Sequence, residues 1–116
     1  MTSTILIADD EEFIVDLLAT LLEDEHYRVL RAYDGEQAFQ IMERERPHLL
    51  ITDVMMPKLT GSELALRIRQ GKGDMAQTPI ILMSAVRPPS VVPQTRYLAK
   101  PFDIDQVLGL VAQLLA

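Results

Sequence analysis

Three unbroken apolar runs of strand length, "TILIA" (4–8), "HLLITD" (48–53) and "PIILMS" (79–84), are set between longer stretches of helical spacing. Strands with one wet face alternate apolar and polar residues. Runs without alternation suit strands covered on both faces. "YRVLRAY" (27–33) carries Arg28 and Arg31 in a β-prone run and reads as an edge strand, and "RYLAK" (96–100) is a short fifth candidate. Ile14, Leu17, Leu18, Leu21 and Leu22 form a first helical stripe. Asp34, with Gln37 three residues on, caps a second helix with the stripe Ala38, Ile41 and Met42. Thr60 and Glu63 make a capping-box pattern ahead of Leu64, Ala65 and Ile68, and Gly71 marks the stop. Asp103 with Gln106 opens a last helix, whose stripe is Ile104, Val107, Leu108, Val111, Leu114 and Leu115. Strand–helix alternation of this kind predicts an α/β fold, a parallel sheet with helices on both faces.

One segment breaks the rhythm. "AVRPPSVVPQT" (85–95) has three prolines and no helical stripe. Proline fixes its own φ and disfavours helix in the residue before it, so Pro88-Pro89 opposes helix through Arg87. At most one turn fits around Ser90 and Pro93, and the helix between the fourth and fifth strands is expected to be missing or reduced. Val86, Val91 and Val92 would then supply apolar contacts to a neighbour or a second chain.

The chain of 116 residues is read as one domain, 1–116. Its net charge of −6 opposes direct nucleic-acid binding, which needs basic surface. The absence of cysteine excludes a disulfide framework, a thiolate nucleophile and a zinc–cysteine site. Neither a signal peptide nor a bilayer-spanning run is present, so a cytoplasmic location off the membrane is the expectation.

In an open α/β sheet, ligands bind at the carboxyl ends of the strands. Asp9 and Asp10 end the first strand, Asp53 the third, Ser84 the fourth and Lys100 the fifth. Each alone has an ordinary explanation as a cap, a helix-start serine or a surface lysine. Glu11 and Glu12 likewise suit the positive end of a helix. Nothing in capping asks Asp53 and Lys100 to converge. Three neighbouring carboxylates repel unless a cation intervenes. Oxygen donors without nearby His or Cys suit a hard ion, Mg²⁺ before Ca²⁺. A metal and a lysine beside a carboxylate suit chemistry on a phosphoryl group, with Asp53 as candidate nucleophile.

The strings "IADDEE", "LLITDVMMPKLTG", "ILMSA" and "YLAKPF", in this order at successive strand ends, resemble the receiver domains of bacterial two-component response regulators. The resemblance covers essentially the whole chain. It implies the chemotaxis-regulator-like (βα)₅ fold, a flavodoxin-like doubly wound parallel sheet with strand order 2-1-3-4-5. It also implies a phosphorylation-dependent switch rather than an enzyme, one that at most assists its own phosphorylation and dephosphorylation. By resemblance, Asp53 is the phosphoacceptor. Asp10 ligates Mg²⁺ directly, Asp9 mainly through water and Met55 through its backbone carbonyl, with Asp53 also among the metal-binding residues. Ser84 and Lys100 bind the phosphoryl group, Tyr97 is the switch aromatic, and Lys100-Pro101 is a cis bond. The implied donor is a sensor histidine kinase or phosphotransfer protein. A downstream protein or a homodimer would use the region around 85–100.

The chain departs from the family pattern at Thr60, where an acid is usual, and at Met55 and Val86, apolar residues at two positions that tune autodephosphorylation. Two other functions compete. A Mg²⁺-dependent phosphohydrolase with an Asp nucleophile would want a second acid two residues on, where Met55 stands, and a cap domain. A pseudo-receiver acting only as a protein-binding module would not need the full set of Asp9, Asp10, Asp53, Ser84 and Lys100.

Overall fold

The computed structural model describes residues 2–85 and 94–116. Five strands, β1 (Thr4–Ala8), β2 (Arg28–Ala32), β3 (Leu49–Asp53), β4 (Ile80–Ser84) and β5 (Thr95–Ala99), form one sheet in the order β2-β1-β3-β4-β5. Every neighbouring pair is parallel. The order implied by the resemblance is therefore the order found. The fifth strand begins and ends one residue earlier than "RYLAK" suggests, leaving Lys100 just past its end.

The helices among the described residues are α1 (Glu12–Asp24), α2 (Gly35–Glu45), α3 (Gly61–Arg69) and α4 (Ile104–Leu115), with a 3₁₀ turn at Gly73–Gln77. Two cores explain why the central runs do not alternate. Leu6, Leu50 and Ile80 point into one, closed by Ala38, Ile41 and Met42 of α2 and by Leu64, Ala65 and Ile68 of α3. Ile5, Ile7, Leu49, Ile51 and Ile81 point into the other, closed by α1 and α4. Successive strand side chains face opposite ways, so a strand with two cores needs apolar residues at every position. β1, β3 and β4 are buried along their full length.

The caps explain where the helices start. Asp34 accepts from the Gln37 backbone N–H at 2.7 Å, and Gln37 Oε1 accepts from the Tyr33 N–H at 2.8 Å. Thr60 and Glu63 close a reciprocal capping box at 3.1 and 3.0 Å. Thr60 thus serves as the N-cap of α3. Two expectations are corrected. Asp103 caps α4 by accepting from the Asp105 N–H at 2.8 Å, and no bond to Gln106 is among those described. In α1 the fully buried face is Val15, Leu18, Ala19 and Leu22, leaving Leu17 exposed. Apolar residues surround much of α1, so spacing alone did not single out the face, and small Ala19 can lie close to the sheet.

The expected loss of a helix between β4 and β5 concerns Val86, Pro88, Pro89, Ser90, Val91, Val92 and Pro93, which lie outside the described residues. Since all five strands are parallel, the carboxyl ends of β1, β3, β4 and β5 open on one edge of the sheet.

Candidate functional site

At that edge the register does the positioning. Ala8 pairs with Thr52, so Asp9 and Asp53 lie one step beyond on adjacent strands. Asp53 pairs with Met83, and Ser84 with Ala99, which sets Lys100 immediately beyond. One carboxylate oxygen from each of Asp9, Asp10 and Asp53 falls within 4.8 Å of the others. Lys100 Nζ reaches both Asp9 Oδ2 at 3.0 Å and Asp53 Oδ1 at 3.4 Å. Asp9 is fully buried, and its second oxygen accepts from the Glu11 N–H at 3.0 Å. Asp10 is exposed and Asp53 buried. Asp9, Asp10, Asp53 and Lys100 thus converge.

Burial first, and then the charge of Asp9, push the Asp53 carboxyl above its ordinary value, against the opposing pull of Lys100. Burial works against the Lys100 ammonium, but its hydrogen bond to Asp9 and the two carboxylate charges outweigh that and raise its pKa. When all are ionised, three carboxylates and one ammonium leave two negative charges at one point. That residue of charge and the all-oxygen donor set fit a divalent hard cation.

The loop after β3 is held tightly. A Cβ on Gly61 would collide with the Asp53 carbonyl, and the Gly61 N–H donates to Val54 O at 2.8 Å. Only glycine lets α3 start this close to the phosphoacceptor candidate. Leu59 N–H donates to Pro57 O at 2.8 Å around Lys58, whose φ is 70°, a tight γ-turn. Lys58 Nζ lies 3.5 Å from Asp34 Oδ2, tying this turn to the start of α2. Met55, two residues past Asp53, is 72% exposed.

Ser84 is buried, and its carbonyl accepts from the Lys100 N–H at 2.9 Å and from the Tyr97 hydroxyl at 3.0 Å. Tyr97 is therefore attached to the backbone of Ser84 while its ring stays partly exposed. Lys100-Pro101 is cis, as the resemblance implied. An apolar cleft of about 410 Å³ opens next to Lys100, lined by Ile14, Leu17, Ala85, Pro101 and Phe102. The Asp9–Lys100 bond was not anticipated, since no local pattern links residues 91 positions apart.

A family model described as the response regulator receiver domain matches residues 5–112. The chain is 40% identical over 110 residues to the response regulator GtcR of Aneurinibacillus migulanus. It is also 40% identical over 110 residues to the alkaline phosphatase synthesis transcriptional regulatory protein PhoP of Bacillus subtilis. Each match covers 95% of this chain but only 38% and 39% of those proteins, so the chain spans about two fifths of their length. Among solved structures, the receiver domain of a sensor histidine kinase from Pseudomonas aeruginosa PAO1 superposes with a TM-score of 0.88 at 25% identity, covering 98% of each chain. That crystal structure has a magnesium ion coordinated in its active site cleft.

Proposed function

Because the chain belongs to the response regulator receiver domain family, we propose that it is a phosphorylation-controlled switch that accepts a phosphoryl group on Asp53. The observation that carries this reading is the convergence of Asp9, Asp10, Asp53 and Lys100, with one ammonium 3.0 and 3.4 Å from two of the carboxylates. Asp9, Asp10, Asp53 and the Met55 carbonyl would hold Mg²⁺, which supplies charge neutralisation at the phosphoryl oxygens when bound. An Asp53 oxygen forms the new P–O bond as the donor's P–N bond to histidine breaks, and the leaving imidazole keeps the electron pair and takes up a proton. Lys100 exchanges its carboxylate partners for a phosphoryl oxygen, and the Ser84 hydroxyl donates to another. Lys100 offsets part of the rise that burial and Asp9 impose on the Asp53 pKa, and to that extent opposes protonation of the nucleophile.

The donor is a sensor histidine kinase or phosphotransfer protein, and the protein acts in the cytoplasm. The apolar cleft beside Lys100 and the exposed Phe13 at the start of α1 offer such a protein a landing surface next to Asp53. The output is a downstream protein or a second copy, reached through the region around 85–100. The domain turns over no external substrate and at most assists its own phosphorylation and dephosphorylation. No helix among the described residues is long and apolar enough to cross a membrane.

Acetyl phosphate with Mg²⁺ tests the reading. One hydroxylamine-sensitive phosphoryl group per chain is expected by intact mass, lost in Asp53→Asn and retained in Lys100→Ala. Steady hydrolysis of varied phosphate esters would instead mark a phosphohydrolase, and no labelling with intact partner binding a pseudo-receiver.

A further inference from the structure

β5 is the sheet's last strand, paired with β4 among the described strands, and Leu98 is its one buried residue. Yet it carries Tyr97 and delivers Lys100 to the site. A slip of one residue would turn every β5 side chain to the wrong face. Burial alone gives this strand little hold on its register.

At the end of the sheet away from the acids, the Arg69 guanidinium donates, among the described residues, to three backbone carbonyls from two other segments. One nitrogen, Nη1, reaches Thr78 O at 2.7 Å and Ala76 O at 3.2 Å, just before β4. The other, Nη2, reaches Gln94 O at 2.7 Å, just before β5. Ile80 and Thr95 are the first paired residues of these two strands. Arg69 therefore joins the end of α3 to the starts of both. Gln94 holds a left-handed backbone, φ 57°, where a residue with a Cβ is uncommon. Arg67 and Arg69 also sit in the last turn of α3, where any cation complements the helix dipole. A dipole needs only charge. Lysine also has three N–H donors, but all on one nitrogen; here the carbonyls are divided between the two nitrogens of a rigid planar fork, a span that one ammonium does not reproduce.

We propose that Arg69 is a positioning residue for the site: by fixing the start of β5 against α3 and β4, it sets the register that presents Tyr97 to Ser84 and Lys100 to Asp9 and Asp53. The consequence for signalling rests on the proposed function, whereas the anchoring itself does not. Arg69 acts from the far end of the sheet, through the strand. The Ser84 carbonyl, bonded to Tyr97 and Lys100, holds the near end of the same pair of strands.

Amide hydrogen exchange on the metal-free protein tests the anchor without phosphoryl chemistry, in wild type, Arg69→Lys, Arg69→Met and Gln94→Gly. Both Arg69 variants are expected to speed exchange of the β5 amides at least about tenfold relative to those of β1 and β3 in the same protein. Gln94→Gly keeps the carbonyl and suits the left-handed backbone, so it retains wild-type relative protection. Beryllofluoride with Mg²⁺ then reads the consequence: in Arg69→Met the shifts at Tyr97 and Lys100 shrink to under about half those of wild type. Failure of beryllofluoride to shift the wild-type protein would count against the proposed function and leave the exchange result to decide the anchor. Wild-type β5 exchange in Arg69→Lys would overturn the inference by reducing Arg69 to a helix-end charge. An equal rise in all strands would overturn it as well, by making Arg69 a general stabiliser.

Discussion

β3 and β5 are both five-residue strands that deliver a charged group to the same edge, and the sheet holds them very differently. β3 lies between β1 and β4 with every residue buried, and it ends on Asp53. β5 has one neighbour among the described strands and one buried residue, and Lys100 follows it. The candidate phosphoacceptor is thus set in the least yielding part of the molecule. The ammonium and the aromatic proposed to respond sit on, or just past, a strand with little to lose by moving. Local opening free energies follow burial and pairing, so a response confined to β5 costs less than one that disturbs β3.

The largest effect expected separates the two strands by stability. Ile51→Ala, at a fully buried position of β3, should cost about 2–5 kcal/mol, and Arg96→Ala on exposed β5 should stay within about 0.5 kcal/mol. Urea unfolding measures both, and similar losses would break the contrast. Gly61→Ala comes next, at about 1–3 kcal/mol, because its methyl must displace the Asp53 carbonyl. A variant as stable as wild type, with unshifted Val54 and Asp53 amides, would show that this approach is slack.

These contrasts were unevenly legible. The three buried strands were readable within a residue because two cores demand apolar side chains at every position. Thr60 and Glu63 were readable because a capping box is local chemistry. The buried face of α1 was misjudged at Leu17 because its apolar residues spread too widely to define one stripe. In the site, strand-end placement singled out Asp9, Asp10, Asp53, Ser84 and Lys100 one by one. The Asp9–Lys100 bond, the Tyr97–Ser84 bond and the three carbonyls on Arg69 had no local signature. The Asp9, Tyr97 and Gln94 bonds join segments that the strand order brings together, whereas Ala76 and Thr78 lie only 7 and 9 residues along the chain from Arg69.

A smaller effect tests the link between β4 and β5. Tyr97→Phe removes the donor to Ser84 O and should cost about 1 kcal/mol, with faster amide exchange at Lys100. No change in either would mean that this bond is already exchanged for water.

The smallest effect is a drift with pH. Burial and then Asp9 raise the Asp53 pKa above its unfolded value. Between those two values the native state keeps a proton that the unfolded chain has released, so stability falls as pH rises through the window. Asp53→Asn removes that titration. In metal-free protein its Tm should gain on wild type from about pH 4 toward neutrality, and the gap should close on acidification. A wild-type Tm that pulls ahead of Asp53→Asn with rising pH would show the Lys100 pair outweighing burial and Asp9.

The most direct test of the account is a heteronuclear NMR titration with beryllofluoride and Mg²⁺, run against Mg²⁺ alone and against Asp53→Asn. The account predicts Mg²⁺ shifts centred on Asp9, Asp10 and Asp53. Beryllofluoride should then add shifts through Ser84, Tyr97 and Lys100 along β5, while the interiors of β1 and β3 stay still and Asp53→Asn does not respond. A response in Asp53→Asn, or beryllofluoride shifts that stop at the acids and leave β5 unchanged, would contradict it.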